Sequence, residues 1–204
     1  MTGIEVLTHL RTEIEDWAIS GQQSFTYETS SIFFLQEGNI ETSTLRVYKN
    51  GVLLTTEYSY DSSESSVTIT AVLNEGDDIT TSYEYYSNYS DSILMRYVQR
   101  AIGDMSIYAK NNLIFSTISN TLFEILEADE SNTPEITDAK YNLIIAISAL
   151  RIKPNWSGYR TSEVGISFPE KMNREQKIKS LIDGFTRDLI GDFEEIEQDN
   201  LEAE

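Results

Sequence analysis

Residues 47–54 read VYKNGVLL, and the Asn50-Gly51 pair at their centre decides how the middle of the chain folds. Asn-Gly between two runs of strand-forming residues marks a two-residue hairpin turn. Both turn positions need positive φ, which these two residues adopt at the least steric cost. With Asn50 and Gly51 as the loop, the pairing follows: Lys49 opposite Val52, Tyr48 opposite Leu53 and Val47 opposite Leu54.

Outward from the hairpin, a period of two holds from about residue 22 to 86. Phe25 and Tyr27 alternate with Thr26 and Glu28. Leu45, Val47 and Lys49 share one parity, and Arg46 and Tyr48 share the other. Val67 and Ile69 alternate with Thr68 and Thr70. Beyond the turn at 74–77, Ile79, Tyr83 and Tyr85 alternate with Thr80, Ser82 and Glu84. Thr, Val, Ile and Tyr suit a pleated, half-buried surface, and turn residues arrive every 8–15 positions, as a small antiparallel β module requires.

Helical spacing flanks this module. Residues 2–19 open with Thr2 and Glu5 at capping-box spacing and carry Leu7, Leu10, Ile14 and Trp17 along one face. His9 lies off that stripe and is expected at the surface. After Ser90-Asp91-Ser92, a helix over 92–109 buries Ile93, Leu94, Tyr97, Val98, Ala101, Met105 and Tyr108 on one wide face. The run LIFSTISNTLFEIL (113–126) fits no single period, and 128–133 reads as a loop. Thr133-Pro134 looks like an N-cap followed by proline at the first helical position. The helix it opens is apolar nearly all round at 143–150, the pattern of a central helix. Residues 153–172 are irregular, with Gly158, Gly165 and two prolines, and 164–168 reads as a short extended strand or arm. Asn173 and Gln176 repeat the capping-box spacing ahead of a last helix with apolar residues at 178, 181, 182, 185, 189 and 193. The expected fold class is α+β: a helical bundle with an inserted small antiparallel β-sandwich or barrel module. The domains are 1–20 plus 91–191 as a discontinuous helical domain, 21–90 as the inserted module, and 192–204 as an acidic tail.

Composition removes several functions. Among 204 residues there is no cysteine and one histidine, so disulfides, thiolate sites and the common zinc sites are excluded within one chain. No run approaches the ~20 apolar residues of a membrane span. The start Met1-Thr-Gly-Ile-Glu5 has neither basic nor apolar leader character. The expectation is a protein that works where it is made, or in an assembly built there. No glycine-rich phosphate loop, GxSxG, HExxH or carboxylate–histidine constellation occurs, so neither a cofactor nor an enzymatic activity is expected. The acidic stretches 61–64 and 75–78 lack EF-hand spacing and read as solvated turns.

The net charge of −19 is uneven: −3 over 1–20, −8 over 21–90, −1 over 91–191 and −7 over 192–204. Residues 151–179 run against it with seven bases and three acids. That excess reads as an exposed face, or as a dock for the tail or β module of another copy. Sequence-specific DNA binding is disfavoured, because the field of the whole chain repels phosphate. Eight of the twelve tyrosines fall within 21–90. They read either as half-buried strand residues or as a contact surface, with Tyr48, Tyr58, Tyr60, Tyr86 and Tyr89 as candidates.

The run LRVYKNGVLLTTEYSYDSSESSVTITAVLNEGDDITTSYEYY (45–86) resembles a β module common in virion proteins of tailed phages. The shared features are the Val-Tyr-x-Asn-Gly-Val hairpin, a Tyr-rich strand, a Thr-Ile-Thr strand, and Leu-x-x-Gly-Asp leading into an alternating Tyr strand. The remainder is similar to the head–tail connector (adaptor or neck) proteins of those phages, in its long apolar helix and in SEVGISFPEKM (162–172) before a C-terminal amphipathic helix. The 21–90 insertion departs from that family, whose helices follow one another more directly. The resemblance implies a structural virion protein at the head–tail interface, assembled in the host cytoplasm. It implies a homo-oligomeric ring, typically of twelve copies, below the portal protein and next to a stopper or tail-completion protein, with DNA passing non-specifically through the lumen. Tyr159, Arg160, Ile166, Phe168, Ile178, Leu181, Phe185, Leu189 and Phe193 are the expected assembly contacts. The alternative is a tail or baseplate component whose β module binds a carbohydrate or a protein surface.

Overall fold

The computed structural model describes residues 3–108, 113–117, 123–127, 138–160 and 164–185. The chain divides into two compact units, Met1–Glu15 with Asp91–Glu204, and Asp16–Ser90.

The second unit is all β. Its strands are β1 (Ile19–Thr26), β2 (Ile32–Phe34), β3 (Ile40–Lys49), β4 (Val52–Leu54), β5 (Tyr58–Asp61), β6 (Ser66–Ile69) and β7 (Asp78–Tyr85). They form a four-stranded antiparallel sheet, β1-β7-β3-β4, and a three-stranded one, β2-β6-β5. The two sheets share one core, to which the smaller contributes Phe33, Val67 and Ile69 and the larger Leu45, Val47, Leu54 and Ile79. Each such side chain contributes about 1.5–3 kcal/mol on burial. The register of β3 against β7 shifts between Glu41 and Arg46. There the Thr44 hydroxyl accepts the Glu84 N–H at 2.8 Å and donates to the Glu41 carbonyl at 2.7 Å, which satisfies the interrupted ladder.

The hairpin has the register its turn dictates, Lys49 to Val52, Tyr48 to Leu53 and Val47 to Leu54. Asn50 and Gly51 both take positive φ, 49° and 78°. The Asn50 side chain also ties the hairpin to the turn at 74–77. Its Nδ2 donates to the Asp77 carboxylate at 2.8 Å, and its Oδ1 accepts the Asp78 N–H at 2.8 Å. Asp77 further accepts the Asn74 N–H at 2.8 Å and pairs with Lys49 Nζ at 3.0 Å. The Asn74 N–H, then the Asn50 amide and Lys49, hold the Asp77 carboxyl down at about 2.

In the other unit four helices, α1 (Gly3–Ile14), α2 (Asp91–Tyr108), α3 (Asp138–Ile152) and α4 (Arg174–Phe185), accompany two antiparallel hairpins. The hairpins are β8 (Leu113–Thr117) with β9 (Phe123–Glu127), and β10 (Gly158–Arg160) with β11 (Gly165–Ser167). Helix α3 packs against α1, α2 and α4, and every residue from Leu143 to Leu150 is buried. Arg151 fastens α3 to α2 with a bidentate pair on Asp104, at 2.8 and 2.6 Å. Arg11 donates to Asp91 at 2.7 Å, and Lys153 to Glu15 at 3.1 Å.

These elements correct the expected fold class. A helical bundle carrying one inserted β-sandwich or barrel module is overturned, because the unit that holds the helices also holds two antiparallel hairpins and is itself mixed α+β, beside a second unit that is all β. The ambiguous run at 113–126 is the source: two five-residue strands are too short for a helix and pair from Leu113–Glu127 to Thr117–Phe123. The first helix is also shorter than expected. It stops at Ile14, where Glu15 takes φ 56°, and Trp17 is 61% exposed instead of lying on the buried stripe. Ile93, assigned to the buried face of α2, is exposed. His9 is exposed, as its position off the stripe requires. The helix start at Thr133-Pro134, Leu189, Phe193 and the tail at 192–204 lie outside the described residues.

Because the folded Asp77 pKa lies below the unfolded value near 3.9, its stabilisation is complete above about pH 4 and is lost as the pH falls towards 2. The stability advantage of wild type over Asp77→Asn is expected to be constant above about pH 4 and to shrink as the pH falls towards 2. A wild-type and variant difference that stays constant down to pH 2 would remove Asp77 from the hairpin lock.

Candidate functional site

Helix α4 and the segment preceding it carry most of the expected assembly contacts. The helix opens with a reciprocal cap: Gln176 N–H donates to Asn173 Oδ1 at 2.9 Å, and Asn173 N–H donates to Gln176 Oε1 at 3.0 Å. Its inner face consists of Lys177, Ile178, Leu181, Ile182, Gly184 and Phe185. A buried ammonium is costly unless its hydrogen bonds are replaced. Lys177 replaces them by donating to the Pro154 carbonyl at 2.9 Å and the Trp156 carbonyl at 2.7 Å, and it lies 5.5 Å from the Phe168 ring centroid. One side chain thereby clamps the chain leaving α3 onto α4.

Aromatic and glycine contacts complete the clamp. Trp156 stacks on Tyr159 at 5.9 Å between centroids, and Tyr159 meets Phe185 at 6.0 Å. Phe168 N–H donates to the Ser157 carbonyl at 2.8 Å. A Cβ on Gly158 would stand 2.7 Å from the Ile166 carbonyl oxygen, so glycine lets β10 and β11 approach closely, and one on Gly184 would stand 2.6 Å from Ile166 Cδ1, so glycine lets β11 sit close against the helix. Burial pushes the Tyr159 hydroxyl well above the ordinary tyrosine range.

This arrangement changes the standing of the expected contacts. Ile178, Leu181 and Phe185 are at most 1% exposed, and Tyr159 and Phe168 are 6% exposed. The amphipathic stripe of α4 is used up against the chain's own α3 and β11, so these five residues are core. Arg160 is exposed and Ile166 half-buried, and both line a shallow depression of about 350 Å³ with Ser157, Gly165 and Ser167. The basic excess is also partly internal. Arg151, Lys153 and Lys177 are engaged with Asp104, Glu15 and backbone carbonyls. Arg160, Lys171, Arg174 and Lys179 remain exposed, with Glu170 and Glu175 among them. Lys177 is one of the seven bases of 151–179. Its position in the 177, 181, 184 spacing of the buried stripe is the signal that sets it apart.

The tyrosine candidates of the β unit, Tyr48, Tyr58, Tyr60, Tyr86 and Tyr89, are all half-buried. Tyr58 and Tyr60 pack against the β core, and the Tyr58 hydroxyl donates to the Leu45 carbonyl at 3.3 Å. They close the rim of the core with their rings, as half-buried strand tyrosines do. Asp61 accepts the Ser63 N–H and hydroxyl within its own turn, at 2.8 and 2.6 Å. Among the described residues no group of three histidine or carboxylate side chains is placed to hold a metal ion. No helix among them is long and apolar enough to cross a membrane. No family model matches the chain, and no curated protein matches it.

Replacing Lys177 by Met keeps the length of the side chain and strands the Pro154 and Trp156 carbonyls. The expected loss is about 1–3 kcal/mol of stability, with a red shift in Trp156 emission over the constant signal of exposed Trp17. Unchanged stability and emission would show that the ammonium does not hold the segment.

Proposed function

We propose that the chain is a non-enzymatic structural protein of a phage virion, a subunit of the ring at the head–tail connection below the portal, through which DNA passes. The observation that carries this reading is the closed insertion. Residues 16–90 form a β unit interrupting a second unit assembled from residues on both sides of it, and the strands of that β unit contain the run resembling virion modules. The surface of the β unit is a second support. Its two bases are used internally, Arg46 on the carbonyls of Ser43 and Leu45 and Lys49 on Asp77. Exposed carboxylates such as Glu28, Glu57 and Glu84 therefore outnumber the one exposed base, Arg46. An acidic wall lets a phosphate backbone slide without adhering.

Electron microscopy of the full-length chain, alone and mixed with the portal of its own virion, tests the reading. Rings stacked coaxially on the portal are expected. A protein that stays monomeric and leaves every portal bare would end it.

A further inference from the structure

Helix α2 presents an exposed stripe to solvent. Ile93, Arg96, Arg100, Gly103 and Ile107 are all exposed, Ile107 at 72%. They recur at three- and four-residue intervals, the spacing by which one helix face meets a partner, over about 21 Å of helix. The carboxylates of the helix, Asp91 and Asp104, are engaged by Arg11 and Arg151. Arg96 and Arg100 have no carboxylate partner among the described residues; Arg100 lies 6.0 Å from the Tyr97 ring centroid. Gly103 adds an independent observation. Glycine inside a helix costs stability, yet a Cβ at Gly103 would meet nothing within 4 Å. The chain's own packing does not require it, whereas close approach of another surface would.

The β unit carries the complementary surface. Val72 and Val52 are its most exposed large apolar residues, at 81% and 68%. Both flank Lys49, which pairs with Val52 in the hairpin and donates from Nζ to the Val72 carbonyl at 2.5 Å. The Asn50–Asp77 lock holds this tip together, and Glu75 and Asp78 stand exposed on the turn it fixes. Residues 16–90 hold eleven acids against two bases, and both bases are engaged within the unit.

We propose that the α2 stripe of one copy receives the Val52/Val72 tip of a second copy's β unit, Arg96 and Arg100 facing the carboxylates of Glu75 and Asp78. This rests on the ring reading and names its subunit contact. The two surfaces differ, so the contact repeats head to tail, and a ring results where its rotation closes. Nucleic acid is the weaker occupant for the same arginines, because phosphates offer nothing to Ile93 and Ile107 and the chain's charge of −19 opposes them.

Sedimentation velocity on three full-length variants tests the contact, with far-UV circular dichroism to verify folding. R96E/R100E and E75K/D78K are each expected to weaken self-association at least tenfold. A 1:1 mixture of the two is expected to restore it, since each reversed surface then meets an opposite charge. Gly103→Glu, a substitution in open space that favours the helix, is expected to weaken association by itself. Wild-type-like association of the variants, or failure of the mixture to recover, overturns the contact. So does duplex DNA binding that depends on Arg96 and Arg100 while self-association does not. A wild type that never self-associates also overturns it, while a ring formed only on the portal would leave the proposed function standing.

Discussion

The two ends of the β unit are paired with each other, and the rest of the structure depends on that closure. β1 runs antiparallel to β7 with Ile19 opposite Tyr85, and Asn88 Nδ2 donates to Asp16 Oδ1 at 3.1 Å. Gly21 is needed there, because a Cβ would lie 2.6 Å from the Tyr83 ring. A unit whose entering and leaving strands are paired with each other can interrupt the chain while keeping its two ends side by side. Where the helices resume, Arg11 of α1 reaches Asp91 at the first turn of α2. That carboxylate sits at a helix N-terminus, where negative charge is favoured. The entropic cost of a long insertion grows only slowly with its length, so closure at the ends matters more than the size of what is inserted.

Six of the fifteen cations are spent on holding the structure together. Arg11, Arg46, Lys49, Arg151, Lys153 and Lys177 each engage a carboxylate or a carbonyl of their own unit. A net-charge profile along the sequence therefore overstates the basic character of 151–179 and understates the acidity the β unit shows to solvent. Arg96 and Arg100, two of the cations without a carboxylate partner among the described residues, lie on a helix that the charge profile does not distinguish.

Legibility in the sequence follows the range of the interactions. The hairpin register, the Asn173–Gln176 cap and the burial of α3 were readable because each is set by residues close in the chain: a turn that permits one pairing, a reciprocal hydrogen bond three residues apart, an apolar surface all round. The β8–β9 hairpin was not, since two short apolar strands look the same as a broken helix until they pair. The face of α4, whose stripe suggests a surface for other molecules, is packed by its own chain. An amphipathic stripe states that a face is covered, and it does not state by what. Ile93 shows the converse, an apolar residue at helical spacing left exposed.

What distinguishes a subunit of a closed ring from an open or solitary protein is a contact between two different surfaces, repeated with a rotation that closes. Native mass spectrometry of the full-length chain over a range of concentrations tests that most directly. The expected spectrum holds the monomer and one discrete ring mass, with little between them. A continuous ladder of oligomers, or monomer at every concentration, would contradict a head-to-tail ring built on α2 and the β-unit tip.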